Sequence, residues 1–140
     1  MTNVPHLYMQ IVQHLQTLKR ELDRLAVRQS AIERCRRTVL AQKPSDVTDE
    51  EDESFDEIVA SLDDIEYDLT TFRDQLRERL VHAEAGLRLV MTHSADSDGV
   101  ALHQHILDGV KLCVEDAAVA RAGYDELIVN IKEITQLRDQ

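Results

Sequence analysis

The side chains that could do chemistry in this 140-residue chain are six histidines, two cysteines and 27 carboxylates. A helical zinc site needs two histidines four apart, so that both rings leave one face. His6, His14, His82, His93, His103 and His105 contain no such pair, and His103 and His105, two apart, point to different sides of a helix. A di-iron bundle repeats Glu-x-x-His on two helices, and that repeat is missing as well. Glu78 and His82 are four apart, but one such pair is commonplace, so the histidines read as solvated side chains. Asp96, Ser97 and Asp98 echo part of a calcium loop without its central Gly and terminal Glu. They read instead as a turn over 94–99, with Asp98 able to cap the helix that follows. No glycine-rich phosphate loop or nucleophile elbow occurs. The expectation is a chain that is not an enzyme, with no catalytic, cofactor-binding or metal residues; residues that bind a partner are not assignable from sequence.

The elements that must carry these groups announce themselves by heptads. The first stretch is Tyr8, Ile11, Leu15, Leu18, Leu22, Leu25, Ile32 and Val39. The second is Phe55, Ile58, Leu62, Ile65, Leu69, Phe72 and Leu76, then Leu80, Ala83, Leu87 and Val90. The third is Ile106, Val110, Cys113, Ala117, Ala120, Tyr124, Leu127, Ile131 and Ile134. Steps of three and four hold one apolar seam on one side of a helix. The pattern predicts helices over about 5–41, 50–93 and 100–137 in a single domain. The fold class is all-α, an elongated antiparallel three-helix coiled-coil bundle running up-down-up, because short connections force neighbouring helices to be antiparallel.

Local signals agree. Pro5 suits a first helical turn, and Pro44 biases Lys43 away from helical angles. Two capping boxes compete for the start of the second helix, Thr48 with Glu51 and Ser54 with Glu57. The acidic run 49–53 lies where the helix dipole favours negative charge; it is either a solvated loop or a docking strip for a basic partner. Cys35 and Cys113 fall in helix interiors without metal or disulfide spacing, which fits a reducing, cytoplasmic compartment. No basic leader followed by an apolar run is visible at the N-terminus, and no apolar stretch approaches the ~20 residues that span a membrane.

Charge is segregated. Residues 1–43 hold eight Lys/Arg against three Asp/Glu, residues 44–93 four against fifteen, and residues 94–140 four against nine. The net values are +5, −11 and −5. Such a chain is a poor nucleic-acid binder, because phosphate contacts need clustered cations. Pairing across the first connection joins residues whose numbers sum to about 95, which sets Arg28, Arg34, Arg36 and Arg37 near 56–68. Across the second connection the sum is about 194, which sets Arg79 near Glu115 and Asp116. Gln29, Arg36 and Arg79 interrupt the seams, and the second helix shifts register by four near Arg79, a stutter. The small residues Ala117, Ala118, Ala120, Ala122 and Gly123 form a waist, opposite which Phe72 is the expected filler.

Three short segments carry a resemblance to a known family. They are Leu15 to Glu33 (LQTLKRELDRLAVRQSAIE), the spacing of Arg79, Leu80, Ala83, Leu87 and Val90, and Ile106 to Leu112 (ILDGVKL). Together with the three-helix plan they resemble tubulin-binding cofactor A. This chain is longer, its third helix continues well past the shared stretch, and its second helix has no internal proline. The resemblance implies a cytosolic, non-catalytic chaperone that captures β-tubulin on an exposed helical face before heterodimer assembly. The partner would be a protein, with no nucleic acid, membrane or cofactor, and the chain would be a monomer or homodimer. Two other classes are open: a coiled-coil adaptor or spacer, and an acidic mimic that blocks a nucleic-acid-binding protein.

Overall fold

The computed structural model describes residues 4–42, 48–91 and 97–138. They form three helices, α1 (Val4–Gln42), α2 (Asp49–Met91) and α3 (Ser97–Arg138). No strand occurs among the described residues. The helices have 39, 43 and 42 residues, about 60 Å each at 1.5 Å per residue. They pack on one another as a bundle, most extensively between α1 and α3 and least between α2 and α3.

The predicted boundaries hold within a few residues, with one difference. Ser97 to Gly99 are helical, not part of a turn. Ser and Asp are favoured at a helix start, where free N–H groups and the dipole meet them, so α3 begins earlier than expected. Thr48 wins the contest at the start of α2: its hydroxyl accepts from the Glu51 N–H at 3.2 Å. Ser54 lies inside the helix and donates to the Glu50 carbonyl at 3.1 Å. The acidic run 49–53 is therefore the first turn of α2 and not a loop. Lys43, Pro44, Thr92, His93 and residues 94–96 lie outside the described residues, as do the side chains of Val90, Asp98 and Ile134.

The core is a column of leucines and isoleucines. From α1 it takes Leu7, Ile11, Leu15, Leu18, Leu22, Leu25, Ile32 and Val39, each under 9% exposed. This is the expected seam, with Leu7 added and Tyr8 half-buried beside it. Full burial of one such side chain contributes about 1.5–3 kcal/mol. Among the described side chains of α2, Leu62, Leu69, Leu76, Leu80 and Leu87 are buried, while Phe55, Ile58, Ile65, Phe72 and Ala83 are half-buried. Leu76 and Leu80 are both buried, which agrees with two successive steps of four at the stutter. Arg79 itself is not on the seam: its side chain is 59% exposed.

The seam of α3 keeps its expected course through Val110, Cys113, Ala117, Tyr124 and Ile131 and departs from it at 106 and 127. His103, Leu107, Val110, Cys113, Ala117 and Ile128 are buried, Ile106 is half-buried and Leu127 is exposed. The reason is visible in the sequence. Apolar residues stand side by side at Ile106–Leu107 and Leu127–Ile128, so the helix offers two phases. From these two pairs the core takes Leu107 and Ile128. Within the waist Ala117 is fully buried, whereas Ala122 and Gly123 face outward. A Cβ on Gly123 would meet nothing within 4 Å.

Candidate functional site

Charged side chains at the helix interfaces fix how the helices sit, and so where a surface is left open. Glu21 of α1 is buried, its side chain 5% exposed. Arg121 Nε of α3 donates to Glu21 Oε2 at 2.8 Å, and Arg24 Nη1 donates to Oε1 at 2.9 Å. Both carboxylate oxygens are thus held by guanidinium groups, which is what a buried carboxylate requires. Two turns on, Arg28 reaches Asp125 with two parallel bonds, 2.7 Å from Nε and 3.2 Å from Nη2. That fork holds the Asp125 carboxyl below the usual aspartate range and raises Arg28. Arg28 was expected against α2; it meets α3 instead, because the 28 position faces the same side of α1 as Glu21 and Arg24.

The contacts between α1 and α2 are more exposed. Arg36 donates to Asp63 at 2.7 Å and lies 3.5 Å from Glu66, and that bond raises the Arg36 guanidinium. Gln29, one of the seam interruptions, accepts from Arg73. Lys19 stands 3.8 Å from Glu84. As residue numbers rise along α1 they fall along α2, with sums of 99 to 103, so the register lies several residues beyond the expected 95. Arg37 turns to Glu33 on its own helix. Between α2 and α3, Arg79 stands 3.9 Å from Asp116 as expected, and both side chains are more than half exposed.

Beside that last contact lies an open groove of about 720 Å³ between α2 and α3. Leu18, Ala83, Ile106, Val110 and Cys113, all buried or half-buried, make its floor. Gln75, Glu78, Arg79 and His82 of α2 and His105, Gly109 and Leu112 of α3 make its exposed walls. At one end the helices touch, since a Cβ on Gly86 would lie 3.6 Å from Ile106. Over Gly109 they leave open space, with nothing within 4 Å of the same probe position. An apolar floor under a few polar walls suits non-covalent binding.

The histidines separate into different environments. His82 and His105 stand exposed on the groove walls; His82 is 3.8 Å from Glu78, and both those side chains are 74% exposed. Among the described residues no three His, Cys, Asp or Glu side chains gather at metal-binding distance. His103 corrects the solvated reading, for it is 1% exposed. Its Nδ1 lies 2.7 Å from the Gly99 carbonyl, which can only accept, so Nδ1 carries the hydrogen. Nε2 is buried without a hydrogen-bond partner. Cys35 and Cys113 are both free thiols.

The sequence reading passed over Glu21, Arg121 and Asp125. A signal was available for Arg121: it falls in phase between Ala117 and Tyr124, where an apolar residue belongs. Among the described residues no helix is long and apolar enough to cross a membrane. Compared with protein-family models, curated proteins and solved structures, the chain matches none.

Removing one partner of a buried ion pair strands the other charge, at a cost of about 3–5 kcal/mol. Arg121→Met leaves the buried Glu21 carboxylate with Arg24 alone and is expected to lower unfolding free energy toward that amount, whereas Glu21→Leu should cost less, because the arginines it strands, Arg121 and Arg24, are 28% and 52% exposed and can turn to water. The double variant should recover most of the loss, as read by a double-mutant cycle in urea. Additive losses would contradict a direct pair.

Asp125 sets a pH dependence. Its folded pKa lies below its unfolded one, so the bond stabilises fully above the ordinary aspartate range and is lost as pH falls through the depressed value. The midpoint of thermal unfolding should drop over that acid window, and less steeply for Asp125→Asn. An identical pH profile for the two proteins would contradict the assignment.

Proposed function

We propose that this chain is a non-catalytic, cytoplasmic capture protein that holds another protein against the outer surface of an elongated, antiparallel, up-down-up three-helix rod. The observation that carries this reading is the groove between α2 and α3. It is open and floored by apolar side chains, and Leu112, 60% exposed, stands on its wall. Patches of this kind on a folded protein mark interaction surfaces. The opposed numbering of the α1–α2 contacts and the Arg79–Asp116 contact support the up-down-up order. The rising numbers of Glu21–Arg121 and Arg28–Asp125 support α1 and α3 running together.

The resemblance to tubulin-binding cofactor A names β-tubulin as the client to test. Capture by such a rod needs no nucleotide, because holding a partner on a surface is an equilibrium between two bodies. The check is size-exclusion chromatography of the purified chain with folded β-tubulin, without nucleotide added for the chain. A stable co-eluting complex is the expected result. A chain that is fully helical by circular dichroism and elutes apart from β-tubulin would overturn the tubulin reading. Elution of the chain alone as a dimer would favour the adaptor class.

A further inference from the structure

α1 and α2 share an outer face, turned away from α3, whose residues follow from the contacts between the two helices. Positions three and four apart are neighbours on a helix. Lys19 of α1 meets Glu84 of α2. Of the neighbours of Lys19, Leu15 and Leu22 are buried, whereas Gln16 and Asp23 are exposed. Steps of seven carry that exposed row on to Ser30 and Arg37. On α2, Glu66 and Arg73 meet α1. Beside them Leu62, Leu69 and Leu76 are buried, Asp63 and Arg77 are exposed, and Thr70 is half-buried. Glu21 and Arg28, which meet α3, lie on the opposite flank of α1.

Each row carries one negative and one positive charge about a neutral centre: Asp23, Ser30 and Arg37 on α1, and Asp63, Thr70 and Arg77 on α2. Contacts between the two helices join numbers that sum to 99 to 103. Ser30 therefore stands level with Thr70, Asp23 with Arg77 and Arg37 with Asp63. The four corners of the face alternate in sign. A two-fold axis lying in the face, along the rod or across it, sets every corner against a corner of opposite sign on a second copy. The own-chain contacts Arg36–Asp63, Glu33–Arg37 and Asp74–Arg77 leave the side chains of Asp63, Arg37 and Arg77 more than half exposed. Apolar surface gathers here too. The exposed large apolar side chains of α1 and α2 are Met9, Val27, Leu40, Tyr67, Val81 and Leu89; all but Leu89 lie in these rows or three to four residues from them. From Met9 to Arg37 the face is about 40 Å long and two helix diameters, about 20 Å, wide, which offers roughly 800 Å² per copy, the area of a standard interface.

We infer that the chain pairs with a second copy of itself through this α1–α2 face, as a two-fold dimer in which Asp23, Arg37, Asp63 and Arg77 each meet a charge of opposite sign. One exposed ion pair is weak, but the symmetry makes four at once. The apolar side chains supply affinity, and the charges supply orientation and salt dependence. The inference goes beyond protein capture and does not rest on it. The α2–α3 groove lies on another side of α2 and stays open on both copies. A dimer that co-elutes with β-tubulin carries two clients, and a dimer that elutes apart from it belongs to the adaptor class.

Sedimentation equilibrium of the full chain at about 1–100 μM tests the pairing. A dimer is expected, with a dissociation constant that rises about tenfold or more as salt goes from about 0.05 M to about 0.5 M. Asp23→Arg, at an exposed site, should weaken it at least about tenfold while helicity by circular dichroism is unchanged. A second charge reversal should then restore the dimer: Arg77→Asp where α1 lies on α2 of the second copy, Arg37→Asp where it lies on α1. A chain that stays monomeric over this range would overturn the proposal. So would an Asp23→Arg variant that dimerises as tightly as the unaltered chain, or the failure of both double variants to recover.

Discussion

The buried Glu21 carboxylate, gripped by Arg121 from α3 and Arg24 from its own helix, sets the frame on which the remainder depends. A carboxylate on a side chain that is 5% exposed cannot be left unpaired without a cost of several kcal/mol. Apolar seams alone slide by a turn at modest cost, because one leucine replaces another. A single buried ion pair allows one register, in the way a lone polar residue does in a coiled coil. Arg28 and Asp125 repeat the same logic further along the two helices. Together they fix α3 on α1, with Leu107, Val110, Cys113, Ala117 and Ile128 in the core.

α2 is held differently. Along its middle it buries one leucine per heptad, at Leu62, Leu69 and Leu76, whereas α1 buries two over Leu18, Leu22 and Leu25. Its polar links, Arg36 to Asp63 and Lys19 to Glu84, lie in water, which screens them and leaves each a weak hold. Both α2 and α3 are net acidic, and they pack together least. The groove is the physical consequence: a strongly clamped pair, α1 with α3, and a third helix attached mainly to one member of it.

Much of this was legible in the sequence. The three helices, the α1 seam, the Thr48 cap and the Arg79–Asp116 contact follow from heptads, capping chemistry and arithmetic on short connections. Three features were not. The ends of the α3 seam lie one residue from where they were expected, because Ile106–Leu107 and Leu127–Ile128 each offer two apolar neighbours and the heptad count took the first of each. His103 was read as solvated because a lone histidine at a seam position carries no spacing signal. Glu21 looked like an ordinary charge beside Leu22; its burial is a property of the pair with Arg121, a hundred residues away. The groove is harder still, since it arises from what α2 and α3 fail to share and leaves no motif.

α1 and α3 form one clamped unit to which α2 is more weakly attached. Native-state hydrogen exchange, followed amide by amide, tests this most directly. Amides of α1 between Leu7 and Val39 and of α3 between His103 and Ile131 should open together at the highest free energy. Amides of α2 between Leu62 and Leu87 should open at a distinctly lower one. Equal protection of all three helices, or loss of α3 before α2, would contradict it.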